Sequence, residues 1–254
     1  MSVLMTNVIC RFCGEQRLRA KEHAWPQWLL KTTDLTDALT RETHAGIAGG
    51  VVDQRVQSFQ SMRDGHVCAT CNNTWMSEIE NATKPIIDRV IASKQFHALT
   101  GDEVSSLAVW AFKTAIVRNA ATNYRKIVPA DHYAHLYNNR TVAPEVYVDA
   151  AICPTHKGLS GLQSQTFLGF MKPGYTMSAG RYNIVLAIES LLLRIIYFPL
   201  SGYDIIPTPD AATRTFRLHP CTPRQNSSLD FYVDYREFEF GAYFAATSQD
   251  EQQQ

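Results

Sequence analysis

Apolar positions change their spacing along the chain. Residues 1–30 form short, turn-rich runs. Residues 33–65 have weak periodicity and contain Gly49 and Gly50. Within them, alternating polarity from Val51 to Phe59 predicts a strand in a loop-rich insertion. From Asn73 the spacing becomes helical, with Trp75, Ile79, Ala82, Ile86 and Val90 on one face. Pro85 lies inside that run and predicts a kink or split. Thr100 followed by Glu103 is a capping-box pattern, and it opens a second helix carrying Val104, Leu107, Ala108, Ala111 and Ala115. Residues 129–139 predict a shorter third helix.

Beyond Pro144 the chain turns to β-branched and aromatic runs: "EVYVDAAIC", "QTFLGFM", "YNIVLAIESLLLRIIYF" and "TRTFRLHP". The third of these reads as two strands with a turn at Glu189-Ser190. The expected class is α+β: residues 1–97 as a metal-stapled module, then 98–247 as helices followed by a mostly antiparallel sheet. Residues 248–254 read as a polar, disordered tail.

Charge narrows the function. Lys plus Arg and Asp plus Glu both total 24, so the formal charge is zero. That argues against a nucleic-acid coat driven by bulk charge. A local basic cluster remains, with Arg11, Arg17, Arg19, Lys21 and Lys31 against Glu15 and Glu22. The longest apolar run is interrupted by Glu189 and Arg194, which predicts no membrane span. With no signal peptide visible, the cytoplasm is the expected location. Cysteines there serve as metal ligands or free thiols more often than as disulfides.

Cys10, Cys13, Cys68 and Cys71 form two C-x-x-C pairs. Each spacing lets two thiolates reach one ion at about 2.3 Å, and two pairs complete a closed tetrahedral shell. The expectation is a structural zinc. Cys153 and Cys221, near His156 and His219, read as ordinary cysteines rather than a second site.

Glu22 and His23 follow the first pair, and Asn72 follows the last cysteine of the second. Closure around one ion would bring these segments together. Glu22 and Asn72 offer hard oxygen atoms suited to Mg2+ or Mn2+. His23 can take a proton from water near neutral pH. Those roles suffice for metal-assisted phosphodiester hydrolysis.

The combination "CRFCG…EHAWPQWL…CATCNNTWM" resembles the HNH endonucleases, in particular a bacterial and phage subgroup, over roughly residues 8–95. The resemblance implies a ββα-metal fold, a structural zinc, His23 as general base, and Glu22 and Asn72 as holders of the catalytic divalent ion. It implies DNA as the partner, with Arg17, Arg19, Lys21 and Arg63 as candidate contacts. The family's middle Asn supports the hairpin and orients the His. Here Arg63 and Asp64 stand near its place, and no Asn occurs from residue 8 to 71. The alternative expectation is an inactive zinc module that binds nucleic acid or a protein partner. Residues 98–247 carry no catalytic motif and are expected to recognise substrate, a ligand, a protein partner or a second copy.

Overall fold

The structure is a computed structural model. It describes residues 6–46, 50–122, 126–164, 182–199, 203–207, 214–221 and 244–248. The expected strand at 165–171, and the tail beyond Ser248, lie outside the described residues.

The chain begins with β1 (Asn7–Ile9), β2 (Gln16–His23) and α1 (Gln27–Thr32), then β3 (Leu39–Ala45) and β4 (Val51–Ser58). β5 (Arg63–Cys68) leads into a single turn, α2 (Ala69–Cys71), and then into α3 (Ser77–Ser93). α4 (Gly101–Ala121) and α5 (Ala130–Asn139) complete the helices. The remaining strands are β6 (Val146–Ile152), β7 (Leu159–Ser164), β8 (Tyr182–Ile188), β9 (Leu191–Tyr197), β10 (Tyr203–Pro207), β11 (Phe216–His219) and β12 (Phe244–Ser248). The class is mixed α+β, with a large, mostly antiparallel sheet.

β1, β2 and β5 form a small antiparallel sheet whose last strand runs into α2 and α3. Seven strands form the large sheet in the order β11-β6-β9-β8-β7-β3-β4. Its only parallel pair among the described residues is β3 with β7. The predicted strand from Val51 is present as β4, but it is not an isolated element of an insertion. It hairpins with β3 and extends the sheet built from residues beyond 144.

Buried polar contacts show why β3 docks there. Arg118 on α4 pairs with Glu42 on β3, and both side chains are fully buried. Asn119 Nδ2 donates to Gln163 Oε1 at 2.9 Å, and the Gln163 amide lies 3.3 Å from His44 Nδ1. Gly161 on β7 makes room: a Cβ there would lie 2.4 Å from Arg118 Nε.

α4 is central. Its capping box is formed by Thr100 and Glu103, as the sequence predicts. Fourteen of its side chains are buried, including Lys113 and Arg118. The expected boundary at residue 97 falls in the link between α3 and α4. One hydrophobic cluster continues across it, from Phe12 and Trp75 to Leu107, Ile184 and Leu193.

α3 runs unbroken through Pro85, because Ile86, Ile87 and Val90 stay buried on its core face. The missing N–H costs one ladder bond without ending the helix. The irregularity falls earlier, at Thr74 (φ −108°, ψ −105°), inside a wide turn spanning Asn72–Met76. Glu189, at φ 50°, makes the predicted turn between β8 and β9.

Candidate functional site

The first cysteine pair sits in the connection between β1 and β2, where Gly14 adopts φ 72° and donates its N–H to Cys10 O. The second pair spans the end of β5 and α2, with Cys68 as helix N-cap. Sulfur atoms of Cys10 and Cys71 lie 3.9 Å apart, as do those of Cys13 and Cys68. Ligand atoms of the four all fall within 4.8 Å of one another. A tetrahedron of thiolates at about 2.3 Å from one ion has edges of roughly 3.8 Å. The group could therefore hold a metal ion.

Burial works against the Cys10 thiolate, yet backbone N–H groups of Cys13, Cys68 and Phe12 bring its pKa down. Burial pushes the Cys13 and Cys71 thiols up. Among the described residues, no other group of three or more Cys, His, Asp or Glu ligand atoms is so close. Cys153 is buried beside Thr155 Oγ1 at 3.3 Å, and Cys221 is exposed.

β5 and the wide turn bring the other candidates together. Glu22, His23, Asn72, Asn73, Gln27 and Glu80 all line one open cleft of about 480 Å³, with Lys21 beside them. β2 supplies Glu22 and His23 at its end. The wide turn supplies Asn72 and Asn73, whose side-chain amides meet at 3.3 Å. Wide turns of this kind interrupt α-helices often at functional sites.

Glu22 is 8% exposed. Its Oε1 accepts from Lys113 Nζ at 2.6 Å, and Glu80 Oε1 accepts from the same ammonium at 2.5 Å. Lys113 has no exposed side-chain surface. Burial opposes its charge, but two carboxylates overcome that and hold its pKa above the ordinary lysine value. Burial raises the Glu22 pKa, with Glu80 and Asp64 adding to it and Lys113 opposing. The ammonium is the securely charged member, because it faces two carboxylates.

His23 is half-buried, and its pKa falls below 6.5 through burial first and the Arg63 cation second. It is therefore neutral at pH 7. Gln27 Nε2 lies 3.4 Å from His23 Nε2. With the amide donating, that ring nitrogen carries the lone pair and Nδ1 the proton.

Asp64 is nearly fully buried and directly opposite Glu22 in the β2–β5 register. Its Oδ2 accepts from Arg11 Nε at 3.0 Å, and its Oδ1 accepts from the His66 backbone N–H at 2.9 Å. Asp64 thus ties the first cysteine turn to β5, while the His23 ring meets Gln27.

Of the basic candidates, Arg17, Arg19, Lys21 and His23 share one face of β2 by strand alternation, and the first three are exposed. Arg17 pairs with Glu15. Arg63 lies opposite His23, donates to Gln60 Oε1 at 3.2 Å, and keeps a buried Nε with no partner among the described residues.

The sequence reading missed Lys113. Its available signal was a lone cation in the apolar run "VWAFKTAIV". The pair His132 and His135 makes no metal group. His132 Nδ1 is 2.9 Å from Tyr182 Oη, and His135 meets Thr141 and Asn139. No helix among the described residues is long and apolar enough to cross a membrane. No protein-family model, curated protein or solved structure matches the chain.

Proposed function

We propose that the chain is a metal-dependent endonuclease hydrolysing DNA phosphodiester bonds at the Glu22–His23–Asn72 cleft. The observation that carries this reading is the convergence of those three side chains from segments 49 residues apart on one cleft. The basic face of β2 runs toward the same place, and phosphate contacts from such residues position a backbone without reading its sequence.

The four cysteines hold zinc in this reading. A four-thiolate shell has no open position, so its role is to fix the β1–β2 connection against the end of β5 and α2. Glu22 and Asn72 would hold the catalytic divalent ion. Their carboxylate and carboxamide oxygens fit a hard cation such as Mg2+ or Mn2+. Glu22 and Glu80 share the single Lys113 ammonium. Such an ion, when bound, neutralises charge developing on the phosphate. His23 takes the proton of the attacking water at Nε2, with that water replacing the 3.4 Å contact from Gln27. Arg63, opposite His23, adds a positive charge beside it.

A second reading has its own support. The Lys113 ammonium already balances Glu22, which suits an inactive zinc module that binds nucleic acid or a protein partner. Plasmid nicking separates the two. The first reading expects nicking with Mg2+ or Mn2+, none with EDTA, and loss in His23→Ala at wild-type zinc content and helicity. A His23→Ala chain that cuts at the wild-type rate overturns the mechanism. DNA binding without nicking under either ion establishes the second reading.

A further inference from the structure

Among the described residues, β4 is an outer strand of the large sheet, and its sequence, Val-Val-Asp-Gln-Arg-Val-Gln-Ser, is complementary to itself when reversed. Phe59 donates its backbone N–H to Ala38 O at 3.2 Å, which extends the β3–β4 pairing by one step beyond Leu39–Ser58. Hydrogen-bonded and non-bonded pairs alternate in an antiparallel ladder. Gln57, Arg55 and Asp53 therefore turn their backbone groups toward β3. Gln54 and Val56 turn theirs away from β3. Val52, Val56 and Leu39 are 55%, 60% and 69% exposed, an apolar surface beside that edge.

We propose that the chain forms a two-fold dimer by antiparallel pairing of β4 with β4 of a second copy, centred on Gln54. Backbone parity requires outward-facing residues to oppose outward-facing residues, which leaves only registers centred on a single residue. Centring on Asp53 would oppose two carboxylates, and centring on Arg55 would oppose two guanidinium groups. Centring on Gln54 opposes Asp53 with Arg55 twice, and Val52 with Val56 twice. In each strand Arg55 Nε already lies 4.0 Å from Asp53 Oδ2. Four charges around the axis therefore alternate in sign. The bulge between His44 and Ala45 inserts Val52 at the end of this stretch and leaves its centre regular. The charges favour the second copy over a strand of unrelated sequence, since unlike charges directly opposite stabilise a strand pair and like charges oppose it.

Sedimentation of the full chain across a concentration series tests this. Wild type is expected to dimerise reversibly. Arg55→Asp and Asp53→Arg each create two like-charge pairs and are expected to weaken dimerisation by about tenfold or more. The double exchange, Asp53→Arg with Arg55→Asp, restores it. Gln54→Pro removes an N–H that points away from β3, so it is expected to give folded monomer. Circular dichroism confirms folding for each variant. A wild type that stays monomeric at its solubility limit overturns the proposal. So does a dimer that single reversals leave unchanged, or a double exchange that does not recover it. None of these outcomes depends on cleavage activity.

Discussion

Lys113 Nζ on α4 lies 2.6 Å from Glu22 Oε1 on β2, although 91 residues separate them. The contact joins the cysteine-bearing sheet to the central helix through a buried charge. Breaking one side of a buried ion pair leaves the other uncompensated, at about 3–5 kcal/mol. Lys113→Met is expected to lower stability by that order in urea unfolding. Adding Glu22→Gln removes one stranded carboxylate and is expected to recover part of the loss. Strictly additive losses in the double variant would show that the two side chains do not interact.

Metal content is the second test. The purified chain is expected to carry about one zinc, measured by elemental analysis. Cys68→Ser, or strong chelation, is expected to remove it. Cys10, Cys68 and Cys71 belong to the same buried cluster as α3 and α4. Loss of metal should therefore lower the melting temperature of the whole chain, since metal binding contributes directly to folding energy. An unchanged melting curve after complete zinc loss would contradict that linkage.

On the proposed cleavage reading, the acid limit of activity reports His23. A general base must be unprotonated, and its pKa lies below 6.5 through burial and the Arg63 charge. Activity is expected to persist as pH falls through 6.5 and to fail only lower. Arg63→Gln removes a cation that opposes protonation, so the acid limb should move to higher pH, whatever happens to the maximum rate. A limb that moves downward, or stays fixed, would exclude the assigned base.

His132 predicts a pH dependence of stability independent of cleavage. Burial drops its pKa to about 4 against an ordinary 6.5. Between those values the unfolded chain binds the extra proton. Stability is thus greatest above 6.5 and falls as pH drops toward 4, by roughly 3 kcal/mol from this group. His132→Gln can keep a partner for Tyr182 Oη, and its stability should decline less over the same range. Parallel curves for variant and wild type would discount the assignment.

Local signals carried much of the fold. The capping box at Thr100, the turn at Glu189 and the periodicity of α3 each depend on residues within a few positions. The paired cysteines were legible for the same reason, since each C-x-x-C is a local constraint. What escaped was long-range. β3 joins β7 in parallel through Glu42, His44 and Gln163, which no local pattern announces. Pro85 does not split α3, because burial of Ile86 and Ile87 outweighs one lost hydrogen bond. Glu22, His23 and Asn72, which line one cleft, were singled out by their position beside the cysteines. Lys113 was hidden in an apolar helix, where its meaning depends on the carboxylates it meets.

The parallel pairing of β3 with β7 also sets an order in time. All four clustered cysteines have been synthesised once residue 71 is made, so their site can close early. His44 must wait for Gln163, 119 residues later. During that interval the β3–β4 hairpin has no sheet to join, and Glu42 has no Arg118 until α4 is made. A nascent chain would then carry a clasped pair of cysteine turns from which an unmoored hairpin projects. Its exposed valines make that interval the period of greatest vulnerability to misassociation.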